Sequence, residues 1–208
     1  MVFKAICISR SSHADGEAVG RAVAERLGLR YVDDEVIAEA AEWADLDPAL
    51  VADVERRKSF AARLLGNVTE HGTAVRLQTE APTRALPTDA DLRMLIADVL
   101  RSFADEGSVV IVAHAASFAL TGGDFLRVLV TASDQTRIER VAAGTGTDER
   151  DAAKIIREDD ASRADYLKRF YGVGRELPTH FDLVINTDTL TAAQAAEIVV
   201  SAASSPHA

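Results

Sequence analysis

Short apolar runs alternate with longer amphipathic stretches along this chain. Runs short enough for buried strands lie at 4–9 (Lys-Ala-Ile-Cys-Ile-Ser), 108–113 (Ser-Val-Val-Ile-Val-Ala), 126–131 (Leu-Arg-Val-Leu-Val-Thr) and 182–186 (Asp-Leu-Val-Ile-Asn), with a weaker one at 30–32. Near-continuous Val/Ile runs of this kind suit a parallel sheet covered on both faces. Between them the periodicity predicts helices over 17–28, 34–44, 89–105, 134–143, 148–170 and 191–203. Gly28 and Gly107 mark two of the stops. Thr88 or Asp89, Ser133 or Asp134, and Thr191 supply start signals, because their side-chain oxygens can accept from a first-turn N–H. Strands alternating with helices predict a doubly wound α/β fold.

One stretch breaks the alternation. Residues 66–88 are polar, interrupted by Pro82 and Pro87, and show no sustained period. A connector and a substrate-covering insert both fit such a segment. The small, polar tail after Ser201 reads as frayed. No internal repeat or interdomain linker is visible, so the 208 residues are expected to form one domain.

Composition removes several classes of function. No apolar run approaches the roughly 18 residues of a membrane span. The first residues enter a strand without a basic-then-apolar leader, and the one cysteine, Cys7, has no partner for an internal disulfide. Both fit a cytoplasmic protein, with Cys7 as a small core residue. Lys+Arg 23 against Asp+Glu 33 gives a net charge of −10, with no basic stripe evident, which argues against duplex nucleic acid as a partner. A nucleotide or other small phosphorylated ligand held by a few arginines remains compatible with that balance.

The most informative chemistry follows the first strand. Arg10-Ser11-Ser12-His13-Ala14-Asp15-Gly16 is a turn between a strand and an amphipathic helix starting at Glu17. Strand, loop and helix in that order open P-loop proteins. There, G-x-x-x-x-G-K-[ST] cradles phosphates on backbone N–H groups, neutralises them with Lys and holds Mg²⁺ through Ser/Thr. Laid on that frame, the segment reads Ser11, four residues, Gly16, Glu17, Ala18. A carboxylate replaces the lysine and a methyl group the magnesium ligand.

Several segments together resemble the cytidylate kinase-like proteins, nucleoside monophosphate kinases of the P-loop class. They are Ile6-Cys7-Ile8-Ser9-Arg10, Gly16 with the helix ending Ala24-Glu25-Arg26-Leu27-Gly28-Leu29, and Tyr31-Val32-Asp33-Asp34-Glu35-Val36-Ile37. The match continues through Val109–Val112, Leu126–Ala132 and Arg137-Ile138-Glu139-Arg140-Val141. It closes with Asp160, Arg163-Ala164-Asp165-Tyr166, Phe170-Tyr171-Gly172-Val173 and Phe181–Thr187.

The resemblance implies a P-loop NTPase-like three-layer fold, with a mainly parallel sheet flanked by helices. It implies one domain with a monophosphate-binding insert at about 34–88 and a lid-like helical segment at about 144–176. ATP and Mg²⁺ would serve an active member, and CMP or dCMP would be the acceptor; self-association as a homodimer is left open. By the same resemblance, Arg157 and Arg163 are the catalytic lid arginines, residues 10–18 form the nucleotide phosphate loop, and Asp33 and His114 contact the acceptor. Arg157 and Arg163 stand six apart, so aiming both at one phosphate needs a bend or a break in the helix. Each of these arginines, and Arg137 and Arg140 with them, also has the plain reading of a surface ion pair.

The chain departs from the family at two anion sites. Where relatives resemble Gly-Ser-Gly-Gly-Arg, this loop reads His13-Ala14-Asp15-Gly16-Glu17. His13 and Asp15 restrict backbone that wants glycine, and Glu17 reverses a charge. Two unit charges about 5 Å apart at an effective dielectric of about 20 interact by roughly 3 kcal/mol, so that reversal predicts weakened or lost transfer. After the strand at 109–112, relatives read Gly-Arg-Gly, whereas this chain has Ala113-His114-Ala115; histidine lacks arginine's bidentate fork.

Other chemistry finds little support. Histidines 13, 71, 114, 180 and 207 lack metal-ligand spacing, so no metal site is expected from them. No G-x-S-x-G elbow is present. The Asp33-Asp34 and Asp159-Asp160 pairs could hold Mg²⁺ with a nucleotide, but helix-start or surface acids account for them more simply. The alternative to a weakened kinase is an inactive kinase-fold protein that binds a nucleotide or a protein partner.

Overall fold

The computed structural model describes residues 3–33, 35–44, 89–113, 116–122 and 124–205. Five strands form one parallel sheet: β1 Ala5–Arg10, β2 Arg30–Val32, β3 Val109–Val112, β4 Phe125–Thr131 and β5 Leu183–Asn186, in the order β2-β3-β1-β4-β5. The central strand β1 is buried on both faces, which is why its apolar run is unbroken. Ala5 pairs with Val109 on one side and Phe125 on the other. β1 runs one residue beyond the expected stretch, so Arg10 lies on the last rung of the sheet.

Helices cover both faces. α1 (Gly16–Leu27) and α7 (Ala192–Ser204) pack on Ile6, Ile8, Val110, Val112, Val128 and Val130. α2 (Glu35–Ala44), α3 (Asp89–Glu106) and α6 (Glu149–Tyr171) pack on Ala5, Cys7, Val32, Val109 and Ile111, on the opposite face. The short helix α4 spans Ala116–Ala119. α5 (Asp134–Thr145) joins α6 through Val141, Ala152 and Ile156. This is the three-layer α/β architecture expected from the alternation.

Local signals explain the boundaries. The buried positions of α1, Gly16, Val19, Gly20, Val23 and Ala24, follow the helical period and lay one stripe on the sheet. Gly20 is where backbone and sheet meet: a Cβ there would sit 2.4 Å from Val112 Cγ2. Ser133 accepts from the Thr136 N–H, and Thr191 forms a capping box with Gln194, as their residue types predict. Asp148 caps α6 through the Asp151 N–H. Asp89 is the first residue of α3. Burial pushes the Cys7 thiol up to about 12, consistent with a core residue. Most of the expected 34–88 insert, the 66–88 stretch within it and Thr88 lie outside the described residues. No described helix is long and apolar enough to cross a membrane.

Candidate phosphate site

In a parallel sheet the crevice lies beyond the carboxyl ends of the strands. Here residues 11–15 leave β1 and turn into α1. Ser11 N–H donates to Val130 O (3.0 Å) and Ala14 N–H to Ser11 O (3.2 Å), tying the turn to β4. His13 and Asp15 adopt φ of 60° and 62°, left-handed conformations that glycine adopts without strain. Each costs a side-chain-bearing residue about 1 kcal/mol or more. Ala14 between them does not share this hand. Alternating hand in successive residues turns N–H groups toward one concave side, the geometry of an anion nest. Among the described residues, nothing accepts from the N–H groups of His13, Asp15, Gly16 or Glu17. Gly16 is required by space, since a Cβ would lie 2.5 Å from Arg10 Cβ.

The side chains oppose that backbone. A cleft of about 280 Å³ is lined by Arg10, Ser12, His13, Asp15 and Glu17, one guanidinium against two carboxylates. Arg10 Nε donates to Glu17 Oε1 across the turn, so the cation on β1 is already paired. Arg140 of α5 holds the far side. Its Nη1 donates to His13 O (3.2 Å) and to Thr187 Oγ1 (3.1 Å), its Nη2 donates to Thr187 O (2.7 Å), and Nη2 lies 3.2 Å from Asp15 Oδ2. Thr187, buried after β5, reaches Ala14 O at 3.0 Å. Ser11 and Thr131 share a hydroxyl hydrogen bond at 3.2 Å. His13 Nε2 lies 3.4 Å from Asp159 Oδ2, joining the loop to α6. Ala18 is exposed and offers no oxygen.

The two lid arginines are not brought together. α6 is one uninterrupted helix, and positions six apart diverge by about 120° around its axis. Arg163 is largely buried and donates to Glu176 from Nε and Nη2, both at 2.8 Å. Arg157 is exposed, without a hydrogen bond or ion pair among the described residues. Arg137 is buried between α5 and α6, donating to Asp160 from Nη1 (2.7 Å) and Nη2 (2.8 Å) and to Asp134 (2.7 Å). Hydrogen bonds donated to the Asp160 carboxylate hold its guanidinium charged more firmly than usual. It braces the helices and does not face the cleft.

Asp33 follows β2 and accepts from Arg21 Nη2 at 2.9 Å. Burial, and next to it the neighbouring Asp33 carboxylate, push the Tyr31 phenol up. His114 lies outside the described residues. Arg140 and Thr187 are the contributors to the loop that spacing alone ranked low or did not single out. The signal for Arg140 was its place three residues after Arg137; nothing in the sequence paired it with Asp15. The described residues offer no cluster of three or more His, Cys, Asp or Glu fit to hold a metal ion.

Comparison with known proteins agrees with this architecture. The chain is 25% identical over 201 residues to the cytidylate kinase of Methanocorpusculum labreanum (strain ATCC 43576 / DSM 4855 / Z), covering 96% of each protein. It is similar in fold to an uncharacterized protein from Eubacterium ventriosum ATCC 27560, with a TM-score of 0.68 at 16% identity, covering 97% of this chain and 99% of that one. TT1252 from Thermus thermophilus matches with a TM-score of 0.51 at 14% identity, covering 98% and 97%. A model of the cytidylate kinase-like family matches residues 5–189, and the chain belongs to that family.

Proposed function

We propose that this chain descends from ATP-dependent kinases of CMP or dCMP and that its phosphoryl transfer is weakened or lost. The observation carrying this reading is the Arg10–Glu17 pair in a cleft where carboxylates outnumber guanidinium groups. A triphosphate would have to displace Glu17 from Arg10 and approach Asp15 as well. With about 3 kcal/mol per charge pair at about 5 Å before screening, that is a loss of orders of magnitude in affinity.

ATP and Mg²⁺ therefore do not fit the residues present. The exposed methyl of Ala18 replaces the hydroxyl ligand, Glu17 is engaged by Arg10, and Asp33 is engaged by Arg21. No step of transfer is derived through either group. The unfilled N–H groups of the loop support the second reading, an inactive kinase-fold protein that still binds a nucleotide or small phosphorylated ligand, or a protein partner. In that reading the segment at 144–176 keeps the place of a lid, with Arg163 serving the fold through Glu176 and not a transferring phosphoryl group.

The test is titration of the purified protein with ATP–Mg²⁺ and with CMP, following thermal stability, beside a coupled assay for ADP. Weakened transfer predicts a small melting shift with slow ADP release, and complete loss predicts no ADP at all. ADP release at rates ordinary for kinases, about 1–100 per second, contradicts both. The combined variant His13→Gly, Asp15→Gly, Glu17→Arg is expected to bind ATP more tightly; no gain means that the loop is not the defect.

A further inference from the structure

Eleven of the 17 described Lys and Arg side chains of this acidic chain are engaged by a carboxylate. Lys4, Arg21, Arg26, Arg30, Arg101 and Arg127 form ion pairs outside the cleft. Arg10, Arg137, Arg140, Arg163 and Arg169 are paired as well. Among the described residues, those without a carboxylate partner are Arg93, which donates to the Phe170 carbonyl, and Arg150, Lys154, Arg157, Lys168 and Arg175. Four of these six belong to α6.

Their spacing is helical. At 100° per residue, Arg150, Lys154, Arg157 and Lys168 fall within a sector of about 60°. All four are exposed. Between Arg157 and Lys168, Ala161 falls in the same sector and Ala164 about 20° beyond its edge, and both are exposed. Asp159, which meets His13 of the loop, lies about 180° from Arg150 around the axis. The buried residues Ala152, Ile156, Tyr166 and Phe170 lie on that same inner side. The result is a basic stripe of about 27 Å that turns away from the phosphate cleft and takes no part in it.

We propose that this outward face of α6 docks an acidic peptide segment of a partner protein. Charge complementarity selects an anion, and the width of the stripe selects among anions. Exposed Asp151, Glu158 and Asp165 border the stripe on one side and exposed Glu149 lies on the other. A broad polyanion, such as a membrane surface or duplex nucleic acid, would bring its charge against those carboxylates. A single peptide strand or helix, about one helix wide, meets the cations alone. Single-stranded nucleic acid gains its affinity from stacking on aromatic side chains, and the stripe presents alanines instead. The small side chains of Ala161 and Ala164 let a peptide backbone approach closely.

The experiment uses the whole chain and a fluorescent 20-residue glutamate-rich peptide, read by anisotropy at low salt. Saturable binding is expected, weakened as salt is raised through the physiological range. Arg150→Glu/Lys154→Glu/Lys168→Glu is expected to bind at least about tenfold more weakly. Reversal of the paired Arg21 and Arg101 is expected to leave binding unchanged. If the charge-reversed variant fails to fold by circular dichroism, the neutral set Arg150→Gln/Lys154→Gln/Lys168→Gln carries the same expectation in the same direction. No binding at millimolar peptide, equal weakening by the Arg21 and Arg101 variants, or tighter binding to a 20-nucleotide single strand or to phosphatidylserine vesicles would overturn the proposal.

Discussion

At the phosphate loop each guanidinium meets a carboxylate, Arg10 on Glu17 and Arg140 on Asp15, whereas the outer face of α6 holds four cations with none among the described residues. The loop has an anion-cradling backbone and anionic side chains; the helix has cationic side chains aimed away from that cradle. Possession of arginines and delivery of their charge to one place are therefore separate properties. Spacing in the chain establishes the first. Direction, set by packing and by which carboxylate lies nearest, decides the second.

The contrast breaks most sharply at the two lid arginines. Arg163→Ala leaves Glu176, only 17% exposed, without its partner, so a loss of about 3 kcal/mol is expected in urea denaturation. Arg157→Ala removes an exposed, unpaired side chain and is expected to change stability by less than about 0.5 kcal/mol. Equal effects would mean that the two share an environment, as a lid closing on one phosphate requires.

A smaller effect tests the frame beneath the loop. Gly20→Ala drives a methyl to 2.4 Å from Val112 Cγ2, and destabilisation of about 2 kcal/mol is expected from thermal melts. The same change at Gly144, with open space around it, is expected to be far milder. Smaller again is His13→Gly, which relieves a left-handed side chain at φ 60°. A gain of up to about 1 kcal/mol is expected, reduced by the greater freedom of glycine in the unfolded chain.

The smallest change concerns pH and the core. Cys7 is pushed from 9.0 up to about 12, so above pH 9 the folded chain keeps a proton that the unfolded chain releases. Its contribution is complete below pH 9 and declines as pH rises toward 12. Native protein at pH 8 is expected to resist alkylation that urea-unfolded protein undergoes at once.

Much of the fold was legible because strand and helix periods leave direct marks. Val109–Val112, the cap at Ser133 and the capping box at Thr191 follow from local rules. The loop was legible in position and in its missing glycines, since His13 and Asp15 do adopt positive φ. What the sequence could not supply was pairing across the fold. Arg140 with Asp15 and Thr187 with Ala14 lie 125 and 173 positions apart and need the sheet order to exist first, while Arg163 with Glu176, 13 apart, needs the chain to return along α6. The basic stripe is hidden in the sequence because its members alternate with Asp151, Glu158 and Asp165, and only the helix sorts them onto one side.

The central claim is that side chains, and not the backbone, withhold the loop from phosphate. Isothermal titration of ATP–Mg²⁺ into the wild-type chain and into Glu17→Gln tests it with one atom exchanged. Removing a single charge that is partly screened predicts at least about tenfold tighter binding for the variant. Unchanged or weaker binding would contradict the account.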